Sequence, residues 1–76
     1  MGLAKLDCYH YHILPGVVQI ELAGTTDPSL VDILSEIDCN NGRVYVEGQY
    51  FLMTDHCTYL GSNGKTYLNL SVTTLN

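Results

Sequence analysis

Basic side chains are what this sequence has least of. Lys5, Arg43 and Lys65 are the only cations of that kind in 76 residues, against eight Asp and Glu, for a formal net charge of −5. Three cations so widely spaced cannot form a stripe that neutralises a phosphate backbone, so nucleic-acid binding of that type is not expected. The acids form no run either, which makes the chain a poor imitation of DNA's charge density. Charged residues total 14%, where a soluble domain usually has about 25%. Tryptophan is absent. No apolar run approaches the roughly 18 residues of a membrane helix, so no membrane partner is expected.

The three cysteines, Cys8, Cys39 and Cys57, are odd in number and form no CxxC pair. With no secretory-type leader at the start, reduced thiols in a cytoplasm are the expectation. Catalytic signatures are missing as well. There is no GxGxxG, no P-loop and no serine in a nucleophile elbow. Asp55-His56-Cys57 contains a nucleophile and a base, but neighbours on a strand point to opposite faces, so His56 is badly placed to activate Cys57. These absences argue against an enzyme, and no cofactor is expected.

What is present is a globular composition, 46% hydrophobic, in a chain short enough to be one domain spanning residues 1–76. A chain of this size buries only about 60% of its unfolded surface and is often helped by association. Leu6 to Leu14 reads as a strand and Pro15-Gly16 as a turn, followed by a second strand from Val17 to Leu22. Pairing Leu14 with Val17 sets Ile13 against Val18, Tyr11 against Ile20 and Tyr9 against Leu22 on an apolar face. His12 then meets Gln19, and His10 meets Glu21, on a polar one. Asp27-Pro28 reads as a helix start, with Asp27 as N-cap and Pro28 at the first helical position. Leu30, Ile33, Leu34 and Ile37 follow at helical spacing, and Asn40-Asn41-Gly42 suits a left-handed cap.

Arg43 to Val46 is a third strand and Tyr50 to Leu60 a fourth. Glu47-Gly48-Gln49 is either a tight turn or a bulge inside a longer strand; as a three-residue loop it sets Val46 against Tyr50 and Val44 against Leu52. Asn63-Gly64 signals a type I′ hairpin into a fifth strand, Thr66 to Leu75, with Tyr59 beside Leu68 and Cys57 beside Leu70. The two hairpins then disagree. The first makes the even face of the fourth strand apolar (Tyr50, Leu52), the second its odd face (Phe51, Met53, Cys57, Tyr59), where Asp55 would be costly to bury. Either a bulge near Thr54-Asp55 switches the faces, or the sheet has a second apolar patch. The fold class expected is α+β: a small, mainly antiparallel five-stranded sheet with one helix packed on a face, in the order β-β-α-β-β-β.

Tyr50-Phe51-Leu52-Met53, four apolar residues in a row, want cover on both sides of a strand. With six tyrosines in the chain, and tyrosine enriched in binding surfaces, Tyr45, Tyr50, Phe51, Leu52 and Tyr67 are the candidate partner-binding residues. The plainer reading is that such aromatics fill a small core. Cys8, His10 and His12 are the alternative site, for a metal. They share one side of a strand, but two are about 6.6 Å apart and three span about 13 Å, so a closed zinc site would need further ligands such as His56 and Cys57. The plainer reading puts both histidines on the polar face of the hairpin. The function expected is that of a small acidic protein-interaction module, an adaptor or inhibitor of a larger protein of the sort phages and mobile elements carry, homo-oligomeric through its sheet. The alternative is a metal- or small-ligand-binding module.

Overall fold

A computed structural model describes residues 4–6, 9–24 and 26–75, with backbone only at 4–5. The elements are β1 (Ala4–Lys5), β2 (Tyr11–Leu14), β3 (Val17–Leu22), α1 (Ser29–Cys39), β4 (Arg43–Val46), β5 (Gln49–Leu60) and β6 (Thr66–Thr74). The fold is small and α+β. All strands join one sheet in the order β1-β4-β5-β6-β3-β2, antiparallel throughout except for β1 beside β4. The strand expected from Leu6 to Leu14 begins only at Tyr11, and Ala4–Lys5, outside that span, brings the sheet to six strands among the described residues where five were expected. Ala4–Lys5 pairs in parallel with Val44 and Tyr45, and Tyr9 N–H then bonds back to Leu6 O at 3.1 Å, turning the chain before β2 begins.

The β2–β3 hairpin forms in the expected register. Leu14 opposes Val17, Ile13 opposes Val18, His12 opposes Gln19 and Tyr11 opposes Ile20. Gly16 has φ +74°, the conformation this turn demands. The helix begins one residue later than expected, with Pro28 at its N-cap. Asp27 still does the capping chemistry, because its Oδ1 accepts Ser29 N–H at 2.9 Å and its Oδ2 accepts Ala23 N–H at 2.8 Å. Asn41 (φ 59°) and Gly42 (φ 82°) end the helix in left-handed geometry, and Gly42 N–H returns to Ile37 O at 2.9 Å.

The core lies on one face of the sheet. Val18, Ile20 and Leu22 of β3, Leu68 and Leu70 of β6, Val44 and Val46 of β4 and Phe51 of β5 pack with Ile33 and Ile37 of α1 and with Leu6. The sheet curls: Tyr11 on the β2 edge donates its hydroxyl to Glu47 Oε2 in the β4–β5 turn, at 3.1 Å.

Of the two ways out of the conflict of faces, the strand takes the bulge. Met53 opposes Val72 and Asp55 opposes Ser71, leaving Thr54 as the extra residue. Both flanking registers differ from expectation by one residue. The β4–β5 turn is the two residues Glu47-Gly48, both with positive φ (50° and 75°), so Val46 opposes Gln49, Val44 opposes Phe51 and Tyr45 opposes Tyr50. The β5–β6 loop is longer than Asn63-Gly64. Only Gly64 there has a positive φ, Gly61 N–H bonds Lys65 O at 2.7 Å, and Tyr59 opposes Tyr67. A type I′ turn needs positive φ at both central residues. Asn63 instead spends its amide on Lys65 N–H (3.0 Å) and the Tyr67 hydroxyl (2.9 Å). Since a one-residue slip exchanges faces, Phe51 enters the core and Tyr59 and Cys57 leave it.

Two predictions follow from these contacts. Leu68→Ala, at a fully buried position, lowers unfolding free energy by about 2–5 kcal/mol in urea titration. The two backbone bonds to Asp27, that from Ala23 first, hold its carboxyl below the usual range. A depressed folded pKa adds stability above the unfolded value of about 4, and that stability is lost as pH falls through the folded pKa. Melting curves followed by circular dichroism from neutral to acid pH should therefore show a loss below about pH 4 in the wild type that is smaller in Asp27→Asn.

Candidate interaction surface

The face of the sheet away from the core is where most candidate binding residues emerge. Cross-strand pairing sets Tyr45 beside Tyr50 and Arg43 beside Leu52 on that face. The Tyr45 and Tyr50 rings tilt together at 4.9 Å between centroids. Tyr67 is on the same face but lies six residues along β6 from Thr73, the partner of Leu52, or about 20 Å. Its ring pairs with Tyr59 at 5.5 Å. The Tyr59 hydroxyl in turn accepts Gln19 Nε2 at 2.8 Å. Phe51 is 6% exposed and belongs to the core, not to this face. The five candidates thus divide: Tyr45, Tyr50 and Leu52 together, Tyr67 apart, Phe51 inside. Between the two aromatic pairs the face is polar, with Gln19, Asn69 and Cys57 in one cross-strand row. The Asn69 side-chain oxygen is buried there without a hydrogen-bond partner.

For the alternative site, His12 opposes Gln19, and His10 O accepts Glu21 N–H at 2.8 Å, so both histidines sit along the expected polar side of the hairpin and both are exposed. Cys8 lies outside the described residues. Among the described residues no three His, Cys, Asp or Glu side chains come close enough to share a metal ion. His56 opposes Leu70 and Cys57 opposes Asn69, so these neighbours point to opposite faces.

The feature that reading by hydrophobic pattern misses is an edge. β5 has twelve residues and β4 has four, paired with Gln49 to Leu52. Met53 N–H reaches Gly42 O at 2.7 Å, and there β4's cover stops. From Thr54 to Leu60, β5 has β6 on one side and, among the described residues, no strand on the other. Every residue of that segment is exposed, including Tyr59 (42%) and Leu60 (66%). Backbone direction follows from the loop: Gly61 N–H points toward Lys65 on the β6 side. Alternation then turns Tyr59, Cys57 and Asp55 toward β6, and Leu60, Thr58 and His56 outward. His56 N–H accordingly finds its own neighbour's carboxylate, Asp55 Oδ1, at 2.8 Å. The sequence did carry a signal for this edge, since a strand of four cannot cover one of eleven or twelve.

Neither a family model, nor a curated protein, nor a solved structure matches the chain. Among the described residues no helix is long and apolar enough to cross a membrane.

Proline tests the backbone assignment. Pro is tolerated at an edge position whose N–H faces solvent, and not where that N–H joins a ladder. At protein concentrations low enough to keep the chain monomeric, Thr58→Pro should leave the melting temperature nearly unchanged. Tyr59→Pro should cost about 1–3 kcal/mol, for one broken ladder bond and an orphaned acceptor.

Proposed function

We propose that this protein works by binding other protein chains through its sheet, as a small acidic interaction module, and not by catalysis. The observation that carries this reading is the seven-residue overhang of β5, Thr54 to Leu60, beyond the end of β4. An uncovered strand edge is a template for another strand, because its outward N–H and C=O groups supply affinity and its alternate side chains supply selectivity. Natural sheets usually blunt such an edge with lysine or proline. This segment, TDHCTYL, has neither. The guards near its start are the Thr54 bulge and the Asp55 carboxylate on His56 N–H, which leave the outward groups of Thr58 and Leu60 to a partner. Tyr45, Tyr50 and Leu52 extend the surface on the outer face beyond the bulge. Tyr59 takes the place in this surface that sequence alone gave to Phe51.

A photo-reactive phenylalanine analogue placed at residue 58 tests the reading in cells that make the protein. It should trap one discrete protein adduct. The same group at Val31, equally exposed on the helix at 65%, should trap none. Indistinguishable labelling from the two positions would defeat the proposal. The identity of the adduct separates a second copy of the chain from a different, larger protein.

A further inference from the structure

We infer that the edge of β5 takes a second copy of itself, antiparallel, with the two-fold axis passing through Cys57. This rests on the reading of that edge as a binding site and names its occupant. The open segment is bounded at one end by the Met53–Gly42 bond and at the other by the turn at Gly61. A strand that fills it has about seven residues, an open edge of its own and little charge. Among the described residues, β5 of another copy has all three properties. β2, at the opposite side of the sheet, has only four residues.

Geometry then limits the register. Residues directly opposite in an antiparallel pair both point their backbone groups at each other or both point away. Paired residue numbers must therefore have an even sum. A two-fold through residue 57 sets Asp55 against the partner's Tyr59 and His56 against the partner's Thr58, and this meets the condition; Thr54, the bulge residue, stands outside the alternation. Sliding toward lower numbers drives the second strand into β4, and sliding toward higher numbers leaves part of the edge bare. Charge agrees with the same register. The segment holds one of the chain's eight acids and no Lys or Arg, so it offers little to a basic peptide. Pairing about Cys57 also sets Asp55 against a tyrosine, where a register two residues lower would oppose it to its own copy.

Hydrogen bonding in this dimer is graded by Asp55. With its carboxylate left on His56 N–H, each Thr58 N–H still reaches the partner's His56 carbonyl. When it swings away, His56 N–H reaches the partner's Thr58 carbonyl as well, and the number of bonds between His56 and Thr58 doubles. Cys57 falls on the axis as a pair without backbone bonds, with Cα atoms about 4.5 Å apart, within disulfide reach. It reports the register: diamide, a thiol oxidant, takes two electrons and two protons from two such thiols and leaves one disulfide.

Molar mass by light scattering over a wide concentration range, on the full chain, is the test. The wild type should rise to the mass of a dimer. Thr58→Pro should stay monomeric with an unchanged circular dichroism spectrum, its dissociation constant raised at least about tenfold. Asp55→Ala should tighten the dimer. Diamide should cross-link the wild type and Cys39→Ser but not Cys57→Ser. A wild type that is monomeric at every concentration, a dimer that survives Thr58→Pro, or cross-linking that needs Cys39 would each overturn the inference. A monomer whose residue-58 photo-probe still traps a different protein loses only the second copy and keeps the edge as a binding site. A monomer that traps nothing loses both.

Discussion

Strand β5 has to satisfy two neighbours whose apolar faces are set independently, and the rest of the sheet depends on how it does so. On its first half the β4–β5 turn brings Phe51 and Met53 to the core side, opposite Val44 and Val72. On its second half the β5–β6 loop brings His56, Thr58 and Leu60 to that side, opposite Leu70, Leu68 and Thr66. Side chains alternate with period two, so an odd residue and an even one share a face only if one extra residue lies between them. Thr54 is that residue. Its hydroxyl reaches Ser71 O at 3.3 Å, so the bulge is tied to β6 by a side chain as well as by the ladder.

The cost of this solution is concentrated in one place. Leu68 and Leu70 of β6 are fully buried, yet the β5 residues opposite them on the same side are Thr58 and His56, both exposed. The core reaches β6 and stops. Polar residues at those two positions fit water on the core side of the overhang, and Cys57 and Tyr59 leave its other side only partly apolar. A segment so placed has β6 as its only strand partner among the described residues, which makes the backbone groups of its outer edge, more than its side chains, the most distinctive surface of the molecule.

How far the sequence could be read shows in which signals were local. The register of the β2–β3 hairpin was legible, though not where β2 begins, because Pro15-Gly16 marks the turn and the two faces sort cleanly into apolar and polar. The helix was legible from the spacing of Ile33 and Ile37 and from the caps at both ends. A bulge was legible as one of two outcomes, the other being a second apolar patch on the sheet, because the expected registers put the apolar faces of the two hairpins on opposite sides of the strand. The registers themselves were not. Glu47 is an unusual residue for positive φ, so Glu47-Gly48 did not announce a two-residue turn, and Asn63-Gly64 announced one that the Asn63 side chain dissolves by bonding Lys65 and Tyr67. Both errors are of one residue, and each exchanges the faces of half a strand. The hydrophobic pattern alone therefore points Phe51 to a partner surface and Tyr59 to the core, and the observed registers exchange them. The parallel pairing of Ala4–Lys5 was illegible for a different reason, because two residues carry no period.

The open edge has a cause further back in the chain. β4 cannot be longer at its start, because the residues before it are committed to ending α1. Asn40 N–H and Gly42 N–H are bonded to carbonyls of the last helical turns, at Glu36 and Ile37, and Arg43 N–H bonds Asn40 O at 3.1 Å, so the chain passes from helix to strand within three residues. At Gly42 a side chain would meet Met53 O at 3.3 Å in a conformation that L-residues resist, φ +82°. The close approach that gives Met53 its bond to Gly42 is thus the same feature that ends β4. Lengthening the strand to cover Thr54–Leu60 would mean unwinding the helix that contributes Ile33 and Ile37 to the core. A chain of this size has little core to exchange for edge protection. The overhang therefore follows from where the helix must stop, and a strand that covers it within this sheet is most simply brought by another chain.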